Sequence, residues 1–186
     1  MQIASSTGIS KSIARVAVAT AMILMVPLVA MQFTQEVAWS PLDFVVAGAL
    51  LFGAGLAYVL VSRQASHVTY RVAVGIAIAA GLLLIWVNLA VGIIGAEDNP
   101  ANLMYAGVLL VAAAGALIAR FRPLGMAIAL LVTGLAQLLV AVIVLVGDVG
   151  APEAQRLPLL MANGFFFTLF AASGLLFWHA ARSAME

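Results

Sequence analysis

Residues 120–153 read RFRPLGMAIALLVTGLAQLLVAVIVLVGDVGAPE. Arg120 and Arg122 stand before Pro123, an uncharged apolar run continues to Gly147, and Asp148 and Glu153 follow. A run of this length predicts a helix that crosses a bilayer, because about 20 residues at about 1.5 Å each cover roughly 30 Å of hydrocarbon. Its two ends carry opposite charge. That polarity is expected of a membrane span, since Lys and Arg are retained on the cytoplasmic side.

The same polarity repeats along the whole chain with alternating sign. Lys11 and Arg15 precede the first apolar run, Glu36 and Asp43 bound the next gap, and Arg63 and Arg71 frame the one after. Glu97 and Asp98 come before the fourth run, and Arg182 lies beyond the sixth. One side thus collects Lys11, Arg15, Arg63, Arg71, Arg120, Arg122 and Arg182, leaving Arg156 alone on the other. The acidic residues Glu36, Asp43, Glu97, Asp98, Asp148 and Glu153 fall outside, with Glu186 inside. The expected topology is multi-pass with both termini cytoplasmic.

Composition agrees with that class. The chain is 66% hydrophobic and 8% charged, with a mean hydropathy of +1.21, against roughly a quarter charged residues in a soluble domain. A net charge of +1 argues against a nucleic-acid partner. The absence of cysteine removes disulfides, iron–sulfur clusters and thiolate metal sites. At 186 residues one transmembrane domain fills the chain. Lys11, Arg15 and the run from Val16 to Ala30 resemble a secretory signal, but Leu28, Val29 and Ala30 make a poor cleavage site, so the helix is read as retained.

The fold class expected is all-α, a six-transmembrane-helix bundle. Helices are predicted over about 13–33, 41–62, 70–94, 101–120, 123–147 and 157–181. They pair in sequence as hairpins of about 13–62, 70–120 and 123–181. Pro41, Pro100, Pro123 and Pro158 stand at or beside helix starts, where a missing N–H costs nothing. Ser40 with Asp43 reads as a capping box and Asn99 as an N-cap. Pro27 should kink the first helix.

The hairpins also look duplicated. Arg15-Val16-Ala17-Val18 recurs as Arg71-Val72-Ala73-Val74, and Ala47-Gly48-Ala49-Leu50-Leu51 as Ala106-Gly107-Val108-Leu109-Leu110. Chance matching within Ala/Gly/Val/Leu-rich sequence is the alternative. Lipid is as apolar as leucine, so close approach at small residues must hold such helices together. Ala49, Gly53 and Ala57, the run Ala112–Ala116, the stripe Gly81, Asn88, Gly92 and Gly95, and Gly164, Thr168 and Ala172 are the expected seams. The same stripes would serve a homo-oligomer.

No Asp, Glu, Lys or Arg falls in the middle of a predicted span. Intramembrane ionisable groups usually mark proton relays and ion paths, so proton-coupled transport is disfavoured. The polar residues that do lie within spans include Asn88, Thr133, Gln137, Asn163, Thr168 and Ser173. Asn88 lies about 25 Å along its helix and Asn163 about 8 Å below the outer surface. Trp86, Asn88, Gln137, Asn163 and Thr168 are therefore candidates to line an outward-facing crevice, with Glu97, Asp98, Asn99 and Asn102 at its mouth. The alternative is that the amides join helices by hydrogen bonds, at about 0.6 kcal/mol each on average.

Trp39 and Tyr105 outside, and Tyr58, Tyr70 and Trp178 inside, are the expected interfacial aromatics. His67 and His179 lack a second ligand at helical spacing, and the methionines Met22, Met25 and Met31 lack Cys or His nearby. No metal or cofactor is expected. No catalytic motif is present, and no enzyme activity is expected.

The run from Trp86 to Tyr105, WVNLAVGIIGAEDNPANLMY, resembles a segment of a family of small polytopic bacterial inner-membrane proteins. The similarity extends from Met31-Gln32-Phe33-Thr34 to the sixth helix. It implies location and helix count, and no activity. The leading expectation is a non-enzymatic inner-membrane protein that assembles with lipid, another membrane protein or a second copy. The alternative is a small channel or carrier for a neutral or weakly polar solute.

Overall fold

The computed structural model describes residues 3–63, 67–147, 149 and 152–183. Six long α-helices carry it: α1 (Ile3–Phe33), α2 (Pro41–Ser62), α3 (Val68–Ala90), α4 (Met104–Ile118), α5 (Pro123–Gly147) and α6 (Arg156–Arg182). No strand occurs among the described residues. Six segments are long and apolar enough to cross a membrane: Ile9–Phe33, Pro41–Ser62, Val68–Ala90, Pro100–Ile118, Pro123–Gly147 and Glu153–Arg182. Asp148 and Glu186, used above for topology, lie outside the described residues.

The chain divides into two compact units, Met1–Arg63 and Gln64–Glu186. In the first, α1 and α2 pack as a hairpin. α1 continues as one helix across Pro27. α2 starts on the expected capping box: the Asp43 N–H donates to Ser40 Oγ, and the Ser40 N–H donates to Asp43 Oδ2 at 2.7 Å. Pro41 occupies the first turn, where its missing donor is no loss. Of the α2 glycines, Gly55 lies tightest against α1: a Cβ there would be 2.6 Å from the Val16 side chain.

The second unit is a four-helix arrangement in which α5 and α6 form the most extensive pair. α3 packs chiefly on α6 and α4 on α5, while α3 and α4 meet only weakly. Consecutive helices therefore do not pair as hairpins throughout: the segment 70–120 is held by its neighbours on α5 and α6. The core is built from Ala73, Leu84, Ala127, Leu130, Val144, Leu159, Phe170 and Phe177, all buried.

Close seams run through other small residues than the four-spaced stripes suggest. Gly115 sits where a Cβ would meet that of Ala129 at 2.7 Å, joining α4 to α5. Gly134 faces the Phe167 ring and Gly174 the carbonyl of Ala127, both at 3.1 Å, joining α5 to α6. By contrast, Gly53 and Gly164 have nothing within 4 Å of a built Cβ. Of the expected seams, the run Ala112–Ala116 contains a true close approach. In the others, equal spacing identified a face without saying whether that face was covered.

α3 also ends earlier than expected, at Ala90 rather than Ile94. Gly92 and Gly95 both adopt φ +71°, which a helix cannot contain. The stripe of Gly81, Asn88, Gly92 and Gly95 is thus broken after Asn88. α4 starts later, at Met104, behind a 3₁₀ turn over Pro100–Leu103 that Asn99 caps.

Candidate functional site

Three polar side chains of the second unit, Tyr105 on α4, Gln137 on α5 and Asn163 on α6, meet. Asn163 on α6 is the centre. Its Nδ2 donates to the carbonyl of Leu159 at 2.8 Å and to the hydroxyl of Tyr105 on α4 at 3.0 Å. Its Oδ1 accepts from Gln137 Nε2 on α5 at 3.0 Å and from the Tyr105 hydroxyl at 3.3 Å. Two donors and two acceptors exhaust what one Asn side chain can offer.

The bond to Leu159 also fixes the orientation of the cluster. A backbone carbonyl accepts only, so the nitrogen of Asn163 must face it and the oxygen must face Gln137. The Gln137 nitrogen then points at Asn163, which leaves Gln137 Oε1 on the far side. That oxygen is buried and without a hydrogen-bond partner. Gln137 and Asn163 are both 0% exposed and Tyr105 is 1% exposed. The three side chains thus form a closed node linking α4, α5 and α6, not the wall of an open crevice. Sequence reasoning missed Tyr105, which it placed at the interface. The available signal was that a buried tyrosine hydroxyl needs a partner, and polar side chains within these spans are few.

The remaining candidates are dispersed. Asn88 Nδ2 bonds back to the Leu84 carbonyl at 2.8 Å, and its Oδ1 is buried without a partner. Trp86 is half-buried on the same helix. Thr168 is exposed, and its hydroxyl is spent on the Gly164 carbonyl at 2.8 Å. It belongs to an outer face and not to the Asn163 node. Thr133 does the same with Ala129 at 2.8 Å but is fully buried. Ser173, left unassigned by sequence, is fully buried and donates to the Ala73 carbonyl at 2.7 Å, joining α6 to α3.

The expected outer mouth resolves into a self-contained loop. Asn102 Oδ1 accepts from the N–H groups of Ile93 and Ile94 at 3.0 and 2.9 Å. Its Nδ2 donates to the carbonyls of Ile94 and Ala96 at 3.2 and 2.8 Å. One side chain thereby satisfies four backbone groups of the loop that follows α3. Asn99 Oδ1 accepts from the Ala101 N–H at 3.0 Å. Glu97 and Asp98 are exposed. Gly92 makes the fold-back: a Cβ there would lie 2.5 Å from the Ala96 oxygen and 2.8 Å from Asn102 Nδ2.

At the opposite helix ends, the Tyr70 hydroxyl donates to the Phe121 carbonyl at 2.7 Å. The Tyr70 ring meets Phe177 edge-on, with centroids 4.9 Å apart. Tyr70 is 2% exposed, so it too is a packing residue and not part of an interfacial belt. Trp178, 41% exposed, carries Arg182 over its ring at 5.5 Å. His67 and His179 are exposed, and among the described residues no three His, Asp or Glu gather as a metal site. No protein-family model, curated protein or solved structure matches the chain.

Proposed function

We propose that this chain is a multi-pass protein of the bacterial inner membrane with both termini cytoplasmic. Its role is non-enzymatic: a structural or accessory bundle that engages lipid and a membrane-protein partner or second copy. The observation that carries this reading is the closed Tyr105–Gln137–Asn163 node. A unit whose buried Tyr105, Gln137, Asn163 and Ser173 are committed to joining helices is organised for holding shape, and its large apolar residues such as Leu110, Ile118 and Val146 are exposed. Duplication of an ancestral hairpin fits the recurrent Arg-Val-Ala-Val and Ala-Gly-x-Leu-Leu runs.

Reporter tags at both ends and in the Arg120–Arg122 turn test the topology. All three should report from the cytoplasm. Cross-linking in native membranes should then yield a stoichiometric partner or a homo-oligomer, and a strictly monomeric, partner-free chain would overturn the role.

A second reading, a small channel or carrier for a neutral or weakly polar solute, is favoured by the buried, unpaired oxygens of Asn88 and Gln137. Solute flux in proteoliposomes that is lost on Asn88→Leu would select it.

A further inference from the structure

We infer that the arginine-bearing end of the α3–α6 unit is a binding site for the headgroup of an anionic phospholipid. This rests on the membrane reading above and adds to it a specific ligand class and place. The juxtaposition is made by one buried residue. Tyr70 is hydrogen-bonded to Phe121, which stands between Arg120 and Arg122, and is stacked edge-on against Phe177, five residues before Arg182. Arg71 is its neighbour in sequence. Tyr70 therefore draws arginines from α3, the α4–α5 turn and α6 to one end of the unit.

All four arginines are exposed, and no described acidic residue forms an ion pair with them. In this unit the described acidic residues, Glu97, Asp98 and Glu153, lie in the connections at the opposite helix ends, where Glu153 stands 3.8 Å from Arg156. Uncompensated like charge repels unless an anion is shared among the guanidinium groups, which match phosphate oxygens as bidentate donors. The turn that carries two of these arginines has an uncommon backbone. Arg120 and Phe121 adopt φ +50° and +58°, a conformation uncommon outside glycine, and the Phe121 carbonyl is turned inward to Tyr70.

Two helix N-termini add to the field. α3 and α5 both start at this end, and His67, at the N-cap of α3, makes no side-chain capping bond. Their first N–H groups present partial positive charge to the same region. Trp178, exposed beneath Arg182, is suited to the depth of the glycerol backbone. Basic sites at the cytoplasmic ends of transmembrane helices recognise anionic headgroups by this chemistry.

The test uses the full chain purified in detergent and titrated with phosphatidylglycerol, cardiolipin or phosphatidylcholine, with bound lipid read by native mass spectrometry. Wild type should retain the anionic lipids and release phosphatidylcholine. At about fivefold per arginine, R120Q/R122Q/R182Q should bind them roughly a hundredfold more weakly. R156Q, at the other end, should bind as wild type does. Tyr70→Phe, which keeps the ring but frees the Phe121 carbonyl, should weaken binding without removing any charge.

Equal retention of phosphatidylcholine, unchanged binding by the triple variant, or displacement by millimolar inorganic phosphate would each overturn the site. Should the triple variant fail to fold, the R120Q and R182Q single variants against R156Q decide the matter. Carbonate extraction of wild-type membranes is a separate arm. A chain that is extracted defeats the membrane reading itself, whereas a chain that stays inserted but shows no lipid preference defeats only this site.

Discussion

Gln137 on α5 donates its amide hydrogen to Asn163 on α6 across 3.0 Å, and Asn163 has no hydrogen-bonding capacity left over. The two amides are therefore unequal. Asn163→Leu strands the Gln137 amide and the Tyr105 hydroxyl in a buried site, at about 1–3 kcal/mol. Gln137→Leu removes a side chain whose oxygen is already unpaired and leaves Asn163 bonded to Tyr105 and Leu159, so it should cost under about 1 kcal/mol. Unfolding in mixed micelles should rank them in that order. The reverse order would mean that Gln137, not Asn163, organises the node.

Ser173 provides the link from α6 to α3. Ser173→Ala should cost about 0.6 kcal/mol, the average for a hydrogen bond between membrane helices, because the Ala73 carbonyl keeps its own helix. Ser173→Leu should cost more, about 1–3 kcal/mol, since the position is fully buried against another backbone. Thermal unfolding of the two variants in the same detergent gives the comparison.

The glycines sort by what a methyl group would meet. Gly115→Ala places a carbon 2.7 Å from that of Ala129 and should loosen the α4–α5 seam by about 1–3 kcal/mol. Gly164→Ala meets nothing within 4 Å and should stabilise α6 by about 0.5–1 kcal/mol through helix propensity. A Gly164→Ala variant that loses stability in membranes but not in detergent would place a partner on that face.

Asn102→Ala removes four hydrogen bonds at once from the loop after α3. Hydrogen exchange should rise sharply at Ile93 and Ile94, the two N–H groups it holds, while α5 and α6 stay protected. Gly92→Ala should give the same local signature, because φ +71° and a 2.5 Å contact both oppose a side chain there.

The charge alternation and the length of the apolar runs determined the helix count and placed the starts of α2, α3, α5 and α6, whereas α1 begins at Ile3, well before the expected position 13, and α4 at Met104 rather than Ala101. These are properties of local sequence: Pro41, Pro123 and the Ser40–Asp43 box start a helix wherever the chain goes next, although Pro27 lies inside α1 without ending it. The end of α3 was not legible locally either, since only the fold-back onto Asn102 shows that Gly92 is left-handed and not helical. Which faces meet was decided by tertiary structure alone. Every helix here is apolar around most of its circumference, so periodicity cannot distinguish Gly115, which is packed, from Gly164, which is open. For the same reason the polar residues were visible as a set, but their partners were not. That Asn163 chose Tyr105 and Gln137, and Ser173 chose Ala73, follows from helix neighbours that are adjacent in space and remote along the chain.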